Sequence, residues 1–114
     1  MYRVIASDMD DTLLNEKGVL SPRTVAALKR AMEAGTYVVL ASGRMVEATL
    51  PIAEKIGVNA PMVVFNGATL YDPATDHILA GSTIPCDIAR AILEFLEARN
   101  IYVHAFPGRG FYYE

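Results

Sequence analysis

Short apolar runs alternate with amphipathic stretches along the first half of the chain. The apolar runs cover residues 4–6, 37–41 and 62–65. They are continuous rather than alternating, which is typical of strands that lie in a parallel sheet and are covered on both faces. The pattern predicts an α/β fold in which helical crossovers join parallel strands.

Two helices are predicted between these strands. Ser21 is a suitable N-cap with Pro22 at the first helical position, and Gly35 is a natural stop for this first helix. The second helix covers residues 45–56 and ends at the glycine that follows. We expect Pro51 to kink or restart it, because proline lacks a backbone donor and crowds the preceding turn.

The pattern changes after residue 67. Two apolar stretches flank the turn-forming residues 73–76, which predicts a β-hairpin at 68–83. We therefore assign residues 1–83 to the N-terminal part of an α/β core and residues 84–114 to the beginning of a second, α+β domain.

The second domain is expected to begin with a helix near Asp87 and to continue with a strand at 101–106. Residues 107–110 then turn the chain into an apolar strand at 111–114 that has no evident neighbour. An unpaired strand edge can pair with another chain, so self-association through this strand is expected. The same feature predicts that the chain is a portion of a longer protein.

Composition excludes several classes of protein. The 114 residues carry a net charge of -3, which leaves no basic patch for nucleic acid or an anionic membrane. No apolar run approaches the roughly 18 residues of a membrane-spanning helix, and no signal peptide is recognisable. Cys86 is the single cysteine and cannot form an internal disulfide. We expect a cytoplasmic protein without nucleic-acid or membrane partners.

Acidic residues follow the first predicted strand, where ligands collect in open α/β sheets. Asp8 and Asp10 are two positions apart and point the same way on extended backbone, so they can converge. Two carboxylates about 4 Å apart repel by about 4 kcal/mol at an effective dielectric constant of about 20. This favours a shared proton or a hard cation such as Mg²⁺. The alternative is an acidic loop that caps a turn.

Polar residues also follow the other two strands. Ser42, Gly43 and Arg44 lie at the end of the second strand and open a helix, so they can form an anion site. Asn66 and Gly67 follow the third strand at the same sheet edge. Taken singly, each is equally consistent with an ordinary turn. Together, the three strand ends indicate a binding site.

These motifs resemble those of a known family. Residues 8–15, Asp-Met-Asp-Asp-Thr-Leu-Leu-Asn, resemble the Asp-x-Asp-x-Thr motif of the haloacid dehalogenase superfamily. Residues 41–44, Ala-Ser-Gly-Arg, resemble its second motif as found in Cof-type sugar-phosphate phosphatases. Residues 65–68, Phe-Asn-Gly-Ala, are also similar to that subfamily, and the resemblance covers the whole chain.

The resemblance implies a fold and an activity. The fold would be part of a three-layer Rossmann-like haloacid dehalogenase core with a parallel sheet, followed by the start of an inserted cap. The activity would be Mg²⁺-dependent hydrolysis of small phosphorylated metabolites such as sugar phosphates. It would proceed through an aspartyl-phosphate, which splits one difficult displacement into two easier ones.

The resemblance also implies residue roles. Asp8 would be the nucleophile and a metal ligand. Asp10 would be the general acid and base, and its backbone carbonyl would also bind the metal. The phosphoryl group would be bound by Ser42 and the Gly43 amide. Three further residues would assist, Thr12 by supporting the phosphate-binding loop and Arg44 and Asn66 by contacting substrate.

Two further features of the family follow the inserted cap in chain order. These are a lysine that steadies the phosphoryl group and an acidic pair that completes the metal site. The 114 residues end before either would occur. We therefore expect the chain to be the N-terminal portion of such a phosphatase, and whether this portion is active by itself is left open. Two alternatives are a receiver-like signalling module phosphorylated on aspartate and a non-catalytic fragment that pairs with another chain.

Overall fold

The computed structural model describes residues 2–107 and the backbone of Tyr112–Tyr113. Contacts within the chain divide it into two compact units, Met1–Gly81 and Ser82–Glu114. This division lies close to the boundary expected at residue 83. The interpretation of the two units as core and cap stays a prediction.

The first unit is built on parallel strands. Strand β1 (Val4–Ser7) pairs in parallel with β2 (Tyr37–Leu40). Strand β3 (Met62–Val64) continues this arrangement through a parallel bridge between Ala41 and Val63. The carboxyl ends of the three strands therefore lie side by side at one edge of the sheet.

A β-hairpin follows β3, as predicted. Strand β4 (Thr69–Asp72) runs antiparallel to β3 on one side and to β5 (His77–Gly81) on the other. The Asp72 carboxylate accepts hydrogen bonds from the Ala74 amide at 3.0 Å and from the Thr75 hydroxyl at 2.8 Å. These local bonds stabilise the turn.

Helix α1 (Pro22–Glu33) begins and ends as its sequence predicts. The Ser21 hydroxyl accepts the Thr24 amide at 3.0 Å, which satisfies one of the free donors of the first turn. At the other end Gly35 takes a φ of 86°, a left-handed conformation that glycine adopts without strain.

Helix α2 (Val46–Ile56) runs through Pro51. Of the two expected effects of the proline, the restart is wrong and the kink stays a prediction. Pro51 lies at the centre of the helix, and the hydrogen bond that its missing donor removes is the one to the Glu47 carbonyl. Buried side chains before and after the proline hold both halves in the core: Val46, Thr49, Ala53 and Ile56.

The sheet is covered mainly on one face within the described residues. Val38 and Leu40 are fully buried, whereas Val4 and its register partner Tyr37 are 54% and 53% exposed. Helices α1 and α2 contact each other and therefore occupy one side of the sheet. Within the described residues the other face of these strands is only partly covered.

The second unit contains helix α3 (Cys86–Glu97) and strands β6 (His104–Ala105) and β7 (Tyr112–Tyr113). The strand expected at 101–106 is thus limited to two residues. Strands β6 and β7 pair antiparallel, so the C-terminal strand does have a neighbour on one side. The rest of the predicted turn and final strand, residues 108–111 and 114, lies outside the described residues.

None of the helices in the described part of the chain has the length and apolar character needed to cross a membrane.

Candidate active site

The loop after β1 exposes its carboxylates because one apolar side chain anchors it. Met9 is fully buried, and its carbonyl accepts the Leu14 amide at 2.8 Å to close a turn over Met9–Leu13. Asp8 and Asp10 flank this buried residue, and both have extended backbone and exposed side chains. The structure thus presents both predicted carboxylates at the sheet edge.

The turn itself depends on Asp11, which takes a φ of 55°. Aspartate tolerates this left-handed region better than most residues. Thr12 follows in the same turn with its side chain exposed. In the sequence Thr12 follows the two predicted catalytic aspartates, Asp8 and Asp10, at the spacing of the Asp-x-Asp-x-Thr motif.

Ser42 joins the end of the second strand to the third. It is only 6% exposed, and its amide donates to the Val63 carbonyl at 2.9 Å. Its hydroxyl oxygen accepts the Arg44 amide at 3.1 Å. Because the hydroxyl oxygen accepts this bond, the hydroxyl proton can be donated to another group. Ser42 can therefore bind an oxygen atom of an anion.

Residues 65–67 form an uncommon backbone turn at the end of β3. Phe65, Asn66 and Gly67 have successive φ values of 52°, 54° and 94°. Such a value is strained for a bulky side chain such as Phe65. The Phe65 amide donates to the Arg44 carbonyl at 3.0 Å, and the Asn66 amide donates to the Ser42 carbonyl at 3.2 Å. These bonds hold the ends of β2 and β3 together.

Gly43 lies directly against the side chain of Asn66. A Cβ at this position would lie 2.8 Å from Asn66 Oδ1. The sequence predicted that Gly43 permits a close approach, and the structure identifies a side-chain amide as the neighbour. Asn66 and the predicted phosphate-binding amide are therefore direct neighbours.

An ion pair connects the first and second strand ends. Arg44 Nε donates to Asp10 Oδ2 at 2.9 Å, and Arg44 Nη2 donates to Asp10 Oδ1 at 2.5 Å. This two-point contact fixes the relative orientation of both groups. Sequence reasoning did not predict it. The available signal was an acidic and a basic residue that follow adjacent strands.

The ion pair shifts both ionisation equilibria. The hydrogen bonds that Arg44 donates hold the pKa of Asp10 below its ordinary value, and the attraction of the guanidinium charge adds to this effect. The same hydrogen bonds raise the pKa of Arg44. Both groups are therefore charged at neutral pH.

The structure brings most of the predicted site residues into one connected network. Hydrogen bonds and close contacts join Asp10, Ser42, Gly43, Arg44 and Asn66. The remaining two residues, Asp8 and Thr12, lie in the same loop as Asp10. All seven come from the carboxyl ends of neighbouring strands.

The donor chemistry at this edge suits a hard cation. The Asp8 carboxylate and the Asp10 backbone carbonyl offer the oxygen ligands that Mg²⁺ prefers. The Asp10 carboxylate is bound to Arg44 instead. Within the described residues there is no group of three or more His, Cys, Asp or Glu side chains able to hold a metal ion.

Comparison with known proteins identifies the family. Residues 5–114 match the model of the haloacid dehalogenase-like hydrolases. The chain belongs to this family. The resemblance seen in the motifs of the three strand ends is thereby confirmed.

Curated relatives of this haloacid dehalogenase-like chain are phosphatases. The chain is 35% identical over 100 residues to the pyridoxal phosphate phosphatase YbhA of Escherichia coli (strain K12), covering 88% of this chain and 37% of the relative. It is 33% identical over 110 residues to the HMP-PP phosphatase of Serratia proteamaculans (strain 568), covering 96% and 40%. The chain thus spans about two fifths of the length of these relatives.

A solved structure confirms the predicted fold class. A haloacid dehalogenase-like hydrolase from B. subtilis superposes with a TM-score of 0.83 at 34% sequence identity, covering 97% of this chain and 39% of that one. The α/β fold with a parallel sheet accordingly corresponds to part of that longer haloacid dehalogenase-like structure. The family match favours a haloacid dehalogenase-like chain over the receiver-like alternative.

Proposed function

We propose that this chain carries the nucleophile and part of the phosphate-binding site of a Mg²⁺-dependent phosphatase. The observation that supports this most strongly is the network at the sheet edge. It connects the Asp8–Asp10 loop to the Ser42–Arg44 turn across two hydrogen-bonded strand ends. An anion bound at the second strand end would therefore lie beside the carboxylates of the first.

Asp8 is the proposed nucleophile. Its side chain is exposed on extended backbone, so a phosphate ester can approach it. A carboxylate oxygen forms a bond to phosphorus while the bond to the leaving oxygen breaks, and Asp10, which must be in its protonated form for this step, gives that oxygen a proton. Water then attacks the phosphorus of the aspartyl-phosphate, Asp10 takes its proton, and inorganic phosphate and free Asp8 result.

The turn at the second strand end would bind the phosphoryl oxygens. Ser42 offers a hydroxyl proton and Gly43 a backbone amide that Asn66 approaches closely. Arg44 and Asn66 are the proposed substrate contacts, and Thr12 supports the loop that carries the carboxylates. Such fixed donors stabilise the charge that develops on the transferring group.

Mg²⁺ would be held by the Asp8 carboxylate and the Asp10 backbone carbonyl. When bound, it neutralises charge on the phosphoryl group and orients it for in-line attack. In this arrangement Asp8 would serve as both the nucleophile and a ligand of the metal ion.

The proposed substrates are small phosphorylated metabolites, including sugar phosphates. Relatives named for pyridoxal phosphate and for HMP-PP support this class. We also propose that the protein acts in the cytoplasm, where the exposed free thiol of Cys86 would stay reduced. Neither a nucleic acid nor a membrane is among the proposed partners, while self-association through the C-terminal strand stays a proposal.

Hydrolysis of an aryl phosphate with and without Mg²⁺ tests this function. The variants to compare are Asp8→Asn and, as a matched control, Asp11→Asn. Asn tolerates the φ of 55° at position 11, so the control removes one loop charge without straining the turn. We expect Mg²⁺-dependent turnover that is lost in Asp8→Asn and kept in Asp11→Asn. Turnover that survives Asp8→Asn contradicts the proposed nucleophile, and no turnover in either chain would show that these 114 residues do not suffice for catalysis.

A further inference from the structure

We propose that the Arg44 guanidinium exchanges one anionic partner for another. It holds the Asp10 carboxylate before substrate binds, and it passes to the phosphoryl group of the substrate once the substrate is bound. This inference rests on the proposed function, since it requires a phosphoryl group at the sheet edge. It assigns Arg44 a positioning role for Asp10 as well as a contact to substrate.

The ion pair can be opened by an incoming ligand. Its two side chains are 37% and 52% exposed, so a solute can reach both. Exposed ion pairs contribute little to stability because water solvates the separated charges well. A phosphate dianion carries more charge than one carboxylate and offers three acceptor oxygens, so it can compete for the guanidinium.

The exchange requires only the side chain of Arg44 to move. Its amide donates to the Ser42 hydroxyl and its carbonyl accepts the Phe65 amide, so both backbone groups are fixed to the strand ends. The flexible side chain carries five N–H donors, two of which contact Asp10. The guanidinium can therefore reach a ligand beside Gly43 while the turn keeps its shape.

The exchange has a consequence for Asp10. Both carboxylate oxygens accept an N–H from Arg44, and an oxygen held in this way is poorly placed to serve a leaving group. Transfer of the guanidinium to the phosphoryl group frees them. Asp10 would thus become available for proton transfer only when substrate is in place.

A fixed ion pair is the opposing interpretation. In that case Arg44 would keep its contact to Asp10 throughout and would never touch the ligand. The two interpretations differ in whether phosphate changes the environment of the guanidinium and whether Asp10 competes with phosphate.

NMR of the full 114-residue chain titrated with inorganic phosphate distinguishes the exchange from the fixed ion pair. The signals to follow are the Arg44 Nε–Hε group, the Asp10 carboxyl carbon and the Gly43 amide. We expect all three to shift with one common affinity. A Gly43 shift without an Arg44 shift overturns the exchange and leaves the proposed phosphate site standing. No shift at any of them overturns both.

Phosphate affinities of charge variants provide the second test. Asp10→Asn removes the competitor for Arg44, whereas Asp11→Asn removes an equal charge from the same loop. We expect Asp10→Asn to tighten phosphate binding about threefold more than Asp11→Asn does. In an Arg44→Gln background that difference should vanish. Equal effects of the two aspartate variants with Arg44 present would overturn the proposal.

Discussion

Asn66 Oδ1 lies 2.8 Å from the place where a side chain at Gly43 would begin. The two residues follow different strands, and the hydrogen bond from the Asn66 amide to the Ser42 carbonyl brings them together. The shape of the proposed phosphate site therefore depends on a pair of residues rather than on glycine alone.

Gly43→Ala tests this dependence. The added methyl group should displace the Asn66 side chain and weaken phosphate binding. Because Asn66 is exposed and can shift, we expect stability to fall by no more than about 1 kcal/mol. Phosphate titration followed by NMR, together with thermal unfolding, measures both effects.

The double variant Gly43→Ala/Asn66→Ala is the control. It is compared with Asn66→Ala alone, because Asn66 is itself a proposed substrate contact. Without the amide that the methyl group would meet, adding Gly43→Ala should weaken phosphate binding little further. A further loss as large as the one seen with Asn66 present would show that the methyl group itself blocks the ligand.

Arg44→Gln should raise the pKa of Asp10 toward its ordinary value of 3.8. Since the folded-state pKa is lowered, the ion pair stabilises the folded chain above the ordinary pKa. That contribution is lost as the pH falls through the lowered value. A pH titration of the Asp10 carboxyl carbon by NMR measures the change. Lys55→Gln, which removes an exposed charge from α2, should leave the titration unaltered.

The sequence predicted which edge of the sheet carries the candidate site, but it did not predict the contacts between the residues of that site. Continuous apolar runs identified β1, β2 and β3, and parallel pairing then placed Asp8, Ser42 and Asn66 at one edge because strand ends align. Such reasoning uses only the period of the pattern and the rule that parallel strands share a direction.

Other features depended on three-dimensional packing. The contact between Asp10 and Arg44 requires the direction of two side chains, which spacing along the chain does not give. Pro51 was expected to kink or restart α2, but the helix does not restart there, because burial of Val46 and Ile56 on either side outweighs one lost hydrogen bond. The left-handed backbone of Phe65 is likewise set by its bond to Arg44 and not by local preference.

Ile56→Ala should destabilise the first unit strongly. Ile56 is fully buried at the end of α2, and truncation to alanine leaves a cavity there. The free energy of unfolding should therefore fall by about 2–5 kcal/mol. Ile78→Ala is the matched control, since Ile78 is 51% exposed and should change stability by no more than about 0.5 kcal/mol. Denaturant unfolding measures both, and similar losses in the two variants would contradict the described core.

Ser21→Ala should cost about 1 kcal/mol, because it leaves the Thr24 amide without its cap. Ser21→Asp retains an acceptor oxygen and should keep most of the stability. Chemical unfolding of the two variants is the appropriate measurement. A full loss in Ser21→Asp would show that the hydroxyl acts in some other way, for instance through its hydrogen bond with the Thr24 hydroxyl.

Borohydride trapping tests the central claim most directly. The chain is incubated with Mg²⁺ and an aryl phosphate, reduced with sodium borohydride, and sequenced by tandem mass spectrometry. An acyl phosphate is reduced to an alcohol, so an aspartyl-phosphate at position 8 would become homoserine. We predict this conversion at Asp8 in the unaltered chain and in Asp11→Asn. Conversion at a different aspartate, or none at Asp8, would contradict the assignment of Asp8 as the nucleophile.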